Sequence, residues 1–409
     1  MEIRLPLNHI QPTSTESDNS FSEYKKLRKN YGPSSLEAKA DLISKIVGKD
    51  LKHIKGGTYD TSFFQNNIEN PIGIVQIPLG IIGPLNIAGK FARGQFMVPM
   101  ATTEGALVLT YDLGARLLSF GDPIQVEVLS RSIHLDPMFL TMSEDEDRII
   151  QNFIGYNYEK IKSIAEAKSR HTKLLSIESK KIGNSFVLRC LYDTGDAHGL
   201  NMINEATYNA CKFISESTKI NFYHRSHYSG VKHHSLENEK RGYGKRVKAS
   251  AVVTKKALDF LRVSAIEMED FGRRCIECGT DAGISNVNVH AANGITAIYL
   301  ATGQDMADIS SSHVCRSVCK AINNNDDLLV EVEIPNLLIA TVGGGTGLGT
   351  QKECLEILDC YGSGKVDKFA EIIAATVLAG EYTTAAAVIN GSYVDIHNKY
   401  GRNKNKNVI

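Results

Sequence analysis

The stretch MATTEGALVLTYDLGARLL, residues 100–118, consists almost wholly of small and apolar residues and carries an acid, Glu104, near its start. We predict that it forms a helix packed in the core, with Glu104 in the first turn. An acid there can simply favour the positive end of the helix dipole, by about 0.3–1 kcal/mol. If the surrounding Ala, Gly and Leu residues are buried, the pKa of the carboxyl would instead rise, and Glu104 could deliver a proton near neutral pH.

The composition limits the class of protein. The chain has 409 residues, of which 42% are hydrophobic and 22% charged, as is typical of a globular protein with two or three domains. Lys plus Arg and Asp plus Glu both number 46, so no charge excess points to nucleic acid or to an anionic membrane. The start of the chain lacks a signal-peptide pattern, and Pro, Gly and polar residues interrupt the most apolar segments. We therefore predict a cytoplasmic protein that binds small molecules, with no nucleic-acid or membrane partner.

The eight cysteines are too sparse for a secreted disulfide framework. Cys275 and Cys278 form a C-x-x-C pair, and His313, Cys315 and Cys319 follow further on, so a zinc site has to be considered. The same segment is typical of packed helix, in which small cysteines are common. We favour structural cysteines and predict no metal.

The order of elements divides the chain into four parts. Residues 1–68 are polar and predict an N-terminal helical segment, with a helix in SSLEAKADLISKIVGKD. Residues 69–131 and 236–409 predict a larger domain, into which alternating strand-like and helix-like segments insert a small α+β domain at 132–222. Residues 223–235, rich in His, Ser and Gly, are predicted to be a flexible loop.

The last third predicts a long helix of small residues around 282–302 and two separate helices in KFAEIIAATVLAG and YTTAAAVING. Between them, TVGGGTGLG joins an apolar strand to a helix. Such a glycine-rich turn lets backbone N–H groups approach a phosphate, but it matches neither G-x-G-x-x-G nor the phosphate-loop motif, and a tight turn without a ligand is the alternative. Asp196, in GDAHGLNM, is likewise either a ligand or the cap of the following helix.

Three further residues suggest chemistry only in combination. Lys232 lies in the His-rich loop, where a lysine is usually solvated. Asp305 ends an apolar helix, an unfavourable place for a carboxylate unless a cation faces it. His397, near the C-terminus, could be an ordinary surface histidine.

Nine motifs in one order resemble the hydroxymethylglutaryl-CoA reductase family, in its biosynthetic, NADPH-dependent class I type. They lie within residues 69–402 and read ENPIG, IPLGIIGPL, MATTEGALV, SRSIHL, AKSRHTKL, GDAHGLNM, NVHAANGITAIYLATGQD, TVGGGTGLGTQ and TVLAGE. The resemblance implies an α/β (α+β) fold with a helical N-terminal segment, a large α/β domain around a long central helix, and a small ferredoxin-like insertion that binds NADP. It also implies a homodimer or homotetramer with active sites at the subunit interface.

The resemblance further implies a reaction and four catalytic residues. The reaction is the two-step reduction of 3-hydroxy-3-methylglutaryl-CoA to mevalonate, which consumes two NADPH, releases CoA and serves isoprenoid precursor synthesis. Lys232, in the loop 223–235, would stabilise the oxyanion that forms at the carbonyl. His397 would protonate the thiolate, and Glu104 would protonate the aldehyde oxygen. Asp305 would hold Lys232 and Glu104 in register.

Binding positions follow from the same resemblance. Those for the substrate are Arg116, Arg131, Asn293 and Arg273, the last (or its neighbour Arg274) standing where the family has lysine. Ser169 and Arg170 fall where the family holds the 2′-phosphate, which suits NADPH over NADH. The other cofactor positions are Asp196, His198, Gly199, Leu200, Asn201, Val342, Gly343, Gly344, Gly345, Thr346 and Arg402.

The chain departs from the family at several of these places. Val231 and His233 flank the lysine in place of an acid and a second lysine, and His198 replaces a methionine. Asp112 and Leu113 replace side chains that help to hold CoA phosphates, and an acid there would repel them. Two alternatives therefore stay open: a divergent paralogue that reduces a different acyl-CoA thioester, and a catalytically silent nucleotide-binding protein.

Overall fold

The computed structural model separates the chain into two compact units and describes residues 23, 26–27, 32–47, 64–65 and 67–401. The first unit comprises residues 1–77 with 347–349, and its helix α1 spans Pro33–Val47. This helix confirms the one predicted in the N-terminal segment. The second unit comprises residues 78–346 and 350–409 and contains the sheet and the helices that pack on it.

Ten strands of the second unit form one sheet. They are β1 (Leu79–Gly89), β2 (Arg93–Ala101), β3 (Ile124–Leu135), β4 (Met138–Phe139), β5 (Lys173–Ile182), β6 (Ser185–Asp193), β7 (Phe222–Tyr223), β8 (Gly244–Val253), β9 (Arg316–Ile322) and β10 (Asp327–Leu337). The main path runs β7-β4-β6-β3-β8-β10-β9, with β1 and β2 beside β3, and β5 beside β6. Strand β3 links the two ends of the sheet, because residues 125–132 pair with β8 and residues 133–135 pair with β6.

Helices and short helical turns connect these strands. The described α-helices that follow α1 are α2 (Leu107–Leu118), α3 (Glu144–Glu166), α4 (Leu200–Thr218), α5 (Leu236–Arg241), α6 (Lys255–Leu261), α7 (Ala265–Asp281), α8 (Ala291–Thr302), α9 (Ile309–Ser312), α10 (Gly349–Ile357), α11 (Val366–Ile389) and α12 (Ser392–Ile396). The 3-10 turns are His227–Ser229, Met306–Asp308, Asn323–Asn325 and Gly344–Gly347, and a π-helical turn spans His397–Gly401. The predicted mixed α/β architecture is confirmed.

The buried apolar side chains form two clusters. The larger one surrounds α11 and includes residues of β1, β8, β10, α2 and α8. The smaller one draws its buried members from residues 133–220, together with Tyr243 and Leu338, and lies between the strands β3 to β6 and the helices α3 and α4. The division into a large domain (69–131 and 236–409) and an insertion (132–222) stays a prediction, because contacts group residues 78–346 in one unit.

Helix α11 is the central element of the second unit. Its most apolar window has a mean hydropathy of 1.6, which together with its 24 residues would suffice to cross a membrane, but 89% of that window is buried inside the fold. The sequence predicted two helices here, and this was wrong. The helix passes uninterrupted through Gly380, a residue that in sequence resembles a helix stop.

The helix predicted around 282–302 is shorter than expected. It begins at Ala291, because Gly283 (φ +79°) and Asn286 (φ +49°) adopt left-handed backbone conformations that end α7 and open a loop. The Asn288 side chain accepts a hydrogen bond from the N–H of Ala291 (3.0 Å) and so marks the new start. This loop brings His290 to the head of α8.

Helices α2 and α11 pack at unusually close range. A Cβ on Gly114 would collide with the Ala379 carbonyl, and the Tyr382 hydroxyl donates a hydrogen bond to the Gly114 carbonyl at 2.7 Å. One turn earlier on α2, the buried ring of Tyr111 lies where Cβ atoms on Gly294 and Gly380 would be. Small residues at these positions are therefore a steric requirement of the fold.

Two acids on α11 hold neighbouring loops through backbone donors. Glu371 accepts hydrogen bonds from the N–H groups of Phe91 (2.9 Å) and Ala92 (2.6 Å) in the turn between β1 and β2. Glu381 accepts from Val289 (2.7 Å) and His290 (2.8 Å). Burial raises the pKa of both carboxyls, although the backbone donors oppose this shift. Their place in a core helix is explained by these loop contacts.

The contact at Gly114 can be tested by Gly114→Val. The added side chain would overlap the Ala379 backbone, and overpacking of this kind costs about 1–3 kcal/mol of unfolding free energy. Gly155→Ala is the matched control, because exposed Gly155 in α3 has open space around its Cα and the change should stabilise the protein by about 0.5–1 kcal/mol. Chemical denaturation measures both. Equal stability of Gly114→Val and wild type would contradict the close packing.

Candidate active site

Lys232 and Asp305 form an ion pair at the end of α8. The Lys232 Nζ lies 2.6 Å from the Asp305 Oδ2, and both side chains are only partly exposed, at 37% and 42%. Partial burial disfavours ionisation of Asp305, but the hydrogen bond from Lys232, the Ala307 N–H and the Lys232 charge together lower its pKa. Lys232 is thus the cation that a carboxylate at the end of an apolar helix requires.

Buried hydrogen bonds anchor the segment that carries Lys232, and its flexibility stays a prediction. His134 Nδ1 lies 2.7 Å from Asp136 Oδ2, and His134 Nε2 lies 3.0 Å from Asn238 Oδ1. Asn238 Nδ2 donates to the Ser229 carbonyl (3.0 Å), and the Ser229 hydroxyl accepts from the N–H of Asp136 (3.0 Å). We call His134, Asp136, Ser229 and Asn238 the clamp; they are all buried. Helix α5, which the sequence did not predict, follows the segment directly. Lys232 itself has a left-handed backbone conformation, with φ +57°.

His198 lies beside the Lys232–Asp305 pair. Its Nε2 is 3.1 Å from Oδ2 of Asp308, a buried acid that the sequence reasoning missed. Burial lowers the pKa of His198, with Asp305 and Lys232 acting in opposite directions. Burial and the Asp305 charge raise the pKa of Asp308 to about 7. No local pattern connects residues 198 and 308, so only the fold could reveal this pair.

Glu104, Asn293 and His397 line a cavity of about 310 Å³. Asn293 Nδ2 donates a hydrogen bond to Glu104 Oε2 (2.7 Å), and His397 Nδ1 donates to the Tyr393 carbonyl (2.8 Å). Glu104 does not lie in a helix turn: α2 begins three residues later, after Ala106 in a left-handed conformation (φ +74°). Its side chain is exposed in this chain, so the burial considered for it is not present.

His290 lines the same cavity and was also missed. Its ring stacks on Tyr111 at 5.4 Å and hydrogen-bonds to the Thr384 hydroxyl through Nε2. Burial lowers its pKa to about 4, so the ring is neutral at physiological pH. It connects the cavity to the contact between α2 and α11. Its motif, NVHAANG, offered the signal.

The candidate catalytic residues therefore fall into two groups. Glu104, Asn293, His290 and His397 form one, which we call the acid half-site; Lys232, Asp305, His198 and Asp308 form the other, the lysine half-site. Within residues 67–401, no hydrogen bond or salt bridge joins Glu104 to Lys232 or Asp305. Neither Lys232 nor Asp305 lines the cavity of the acid half-site.

A polar cavity of about 660 Å³ surrounds Ser169 and Arg170 at the end of α3. Lys162, Lys168 and Lys173 also line it, so four cationic side chains meet there. Two acids, Glu159 and Glu166, line it as well; Glu166 pairs with Lys173 (3.4 Å) and accepts from the N–H of Leu174 (2.9 Å). This donor set suits a phosphate monoester. The three lysines were not predicted.

The predicted cofactor loops lie at two turns. Gly343 (φ +78°) and Gly344 (φ +56°) have open space around them, whereas Gly345 backs onto Gly303 so closely that a Cβ would meet its carbonyl. Thr346 donates its hydroxyl to the Gly343 carbonyl at 2.7 Å, next to Val342. In the other turn, Gly199 (φ +85°) precedes α4, which starts with Leu200 and Asn201. Arg402 lies outside the described residues.

Asp196 has a definite structural role. Its carboxylate accepts hydrogen bonds from the N–H groups of Gly364 (2.7 Å), Lys365 (3.0 Å) and Val366 (3.1 Å). It therefore caps the central helix α11 and not, as considered, the helix that follows it in sequence. Both carboxylate oxygens of Asp196 are already hydrogen-bonded. Any contribution of Asp196 to a cofactor site would therefore come from the position in which it holds its turn.

The remaining predicted substrate residues are paired with acids. Arg131 donates to Asp367 (2.7 Å) and faces the buried Lys245, whose pKa is lowered by burial. Arg273 pairs with Asp270 and Glu277, and Arg116 pairs with Asp112, all on exposed helix surface. The structure thus brings Asn293 to Glu104, but brings neither Arg273 nor Arg116 there. The sequence analysis did not predict Lys245 as a site residue.

The eight cysteines are all free thiols in the described part of the chain. Within that part, no three His, Cys, Asp or Glu side chains come together in a metal-binding arrangement. Cys315 is buried, whereas Cys278 is exposed.

Three comparisons place the chain among known proteins. The family model of hydroxymethylglutaryl-coenzyme A reductase matches residues 35–402. The chain is 38% identical over 380 residues to the 3-hydroxy-3-methylglutaryl-coenzyme A reductase of Methanocaldococcus jannaschii, covering 90% of this chain and 93% of that protein. It is 34% identical over 373 residues to the reductase of Methanothermobacter thermautotrophicus, covering 90% and 94%. In fold it resembles the class II reductase of Streptococcus pneumoniae bound to NADPH, with a TM-score of 0.66 and 17% identity over 92% of this chain and 98% of that one.

Proposed function

Since this chain belongs to the hydroxymethylglutaryl-coenzyme A reductase family, we propose that it reduces 3-hydroxy-3-methylglutaryl-CoA to mevalonate in two steps, using two NADPH and releasing CoA. The observation that carries the proposal is the Lys232–Asp305 ion pair, at the position where the family motifs require a lysine and an acid together. Two residues 73 apart in sequence, both unremarkable alone, meet at 2.6 Å. A catalytically silent relative would have no need to keep this pair.

The division into two half-sites supports an assembly in which two copies of the chain complete one active site. The acid half-site supplies Glu104 and His397, and the lysine half-site supplies Lys232 and Asp305. Because neither half can reduce a thioester alone, a second copy would bring the missing half by two-fold symmetry. We therefore propose a homodimer, or a homotetramer built from such dimers.

The chemistry of the chain's own residues follows from the charge that develops on the substrate. NADPH, when bound, supplies the hydride. The Lys232 ammonium stabilises the negative oxygen that forms as the carbonyl is reduced. Asp305 holds that ammonium in place, and His397 donates a proton to the departing thiolate of CoA. Glu104 then delivers a proton to the aldehyde oxygen in the second reduction.

NADPH fits the residues present. The cavity at Ser169 and Arg170 gathers four cations where an extra phosphate of NADPH would lie, and NADH offers no group for them. Gly343 and Gly344 leave their backbone open to a phosphate. The turn at His198 and Gly199 would border the nicotinamide end.

The finer assignments extend the proposal. The family motifs within residues 69–402 are the ground on which we assign the chain to the biosynthetic class I type. We assign it to isoprenoid precursor synthesis in the cytoplasm.

A different acyl-CoA thioester is the alternative substrate, and one contact favours it. Asp112 pairs with Arg116 (3.1 Å) and accepts a hydrogen bond from the N–H of Gly83 (3.2 Å). Arg116 is therefore partly neutralised where relatives hold CoA phosphates. NADPH oxidation measured with 3-hydroxy-3-methylglutaryl-CoA beside a panel of other acyl-CoA thioesters separates the two. The proposal expects the first to have the highest kcat/KM, and a faster turnover of another thioester would replace it.

Arg170→Ala tests the cofactor assignment. Loss of a charge-assisted contact to the 2′-phosphate should raise the KM for NADPH by roughly tenfold to a hundredfold and leave the KM for NADH nearly unchanged. Arg148→Ala, which removes an exposed arginine of α3 outside the cavity, serves as control. Steady-state kinetics with each cofactor gives the ratio. Equal effects on the two cofactors would refute the assignment.

Lys232→Ala tests the proposed oxyanion stabiliser. The kcat should fall by roughly 10²–10³-fold with NADPH affinity nearly unchanged. His233→Ala and His234→Ala should lower kcat much less, because both rings already have hydrogen-bond partners. His233 Nδ1 is hydrogen-bonded to the Val231 carbonyl, and His234 is hydrogen-bonded to Ser285 and Glu239. If activity instead survives the lysine change and collapses with a histidine change, the histidine supplies the charge.

A further inference from the structure

A buried acid next to the lysine half-site has no role in the mechanism above. Asp308 is 2% exposed and lies in the same 3-10 turn as Asp305, to whose carbonyl its N–H donates at 3.1 Å. Its Oδ2 is 3.1 Å from Nε2 of His198, which lies in the turn before α4. Carboxylates this deeply buried are rare unless paired, and the described partner is an imidazole. His198 itself stands where the family has a methionine, which could not share a proton.

The groups that face Asp308 come from four parts of the fold. Asp305 shares its turn, and Lys232 comes from the segment held by the clamp. Tyr299 of α8 and Tyr243, just before β8, also feel the Asp308 charge. The Tyr299 hydroxyl is hydrogen-bonded to Ser312 (2.9 Å) and to the Leu338 carbonyl (2.5 Å), so its proton is not available to Asp308. The Tyr243 hydroxyl is buried without a hydrogen-bond partner in the described residues, whereas His198 Nε2 lies 3.1 Å from the Asp308 carboxylate and is the group placed to exchange a proton with it.

The surroundings determine where the shared proton resides. Burial and the nearby Asp305 carboxylate raise the pKa of Asp308 to about 7, although Lys232 opposes the shift. Burial lowers the pKa of His198. Two titratable groups in direct contact bind protons as a pair, so a proton at this contact belongs to both side chains. The 3.1 Å contact between Asp308 Oδ2 and His198 Nε2 allows one proton to bridge the two side chains.

We propose that Asp308 and His198 are positioning residues that share a proton and thereby set the net charge around Lys232. The inference rests on the proposed function and adds to it a control of the oxyanion-stabilising lysine. With the proton on the pair, one ammonium faces one carboxylate, that of Asp305. Once the proton leaves, a second carboxylate faces the same ammonium and weakens its field at the developing oxyanion. Deprotonation of the pair therefore slows the reduction.

The first test is the pH profile of kcat for Asp308→Asn. The amide introduced by this change donates to His198 Nε2 as a protonated acid does, and it cannot ionise. In wild type, kcat should fall severalfold as the pH rises from about 6.5 to about 8.5; in Asp308→Asn this decline should flatten. Asp308→Ala, which leaves the imidazole unpaired, should lose activity at every pH. Asp326→Asn, an exposed acid paired with Lys255, should keep the wild-type profile. A profile of unchanged shape in Asp308→Asn would overturn the proposal.

A second measurement needs no turnover. Because the folded-state pKa of Asp308 lies above its unfolded value, ionisation costs stability, and this cost grows as pH rises from about 4 to about 7. The Tm of Asp308→Asn minus that of wild type should therefore increase over this interval and then level off. The increase should be smaller in a His198→Gln background if the two residues are coupled. A Tm difference independent of pH would overturn the pair even if wild type proved inactive, so failure of the proposed function and failure of this inference remain distinguishable.

Discussion

The close contact between α2 and α11 is the constraint on which the other features of the second unit depend. Because Gly114 has no side chain, the backbone of α2 can touch the backbone of α11. Tyr111 then fills the space left by Gly294 and Gly380. This holds the segment before α2, which carries Glu104, against the head of α8, where His290 and Asn293 lie. The same helix α11 continues toward His397. A single steric requirement thus assembles the acid half-site from three distant segments.

The lysine half-site depends on a different interaction, the buried clamp around Asp136. Asp136 pairs with His134 (2.7 Å) and with Arg189 (3.2 Å), both at the junction where β3 passes from β8 to β6. A charge buried at this depth is tolerated because it is fully hydrogen-bonded. The clamp holds the segment of Lys232 against Asp305. The charge of Asp305 then acts on both Asp308 and His198. Strand pairing and site geometry are thereby linked.

The sequence predicted the fold class and a packed helix within residues 100–118, because both depend on local pattern or on motifs; the site residues that it named stay a prediction. It could not predict that Ala106 adopts a left-handed conformation and leaves Glu104 outside the helix. It mistook Gly380 for a helix end, since the requirement for glycine there comes from Tyr111, far away in sequence. The clamp and the His198–Asp308 pair were out of reach for the same reason: partners about a hundred residues apart leave no periodic signal.

The central claim is that one chain carries two half-sites and that two chains make an active site. It is tested most directly by mixing two inactive variants, Glu104→Gln and Lys232→Ala, as differently tagged subunits and purifying the heterodimer. If Glu104 and Lys232 of one active site come from different copies, one site of each heterodimer is wild type, and NADPH oxidation should recover to about half that of the wild-type dimer. Heterodimers as inactive as the two parents would mean that both residues act within one chain, and would contradict the account.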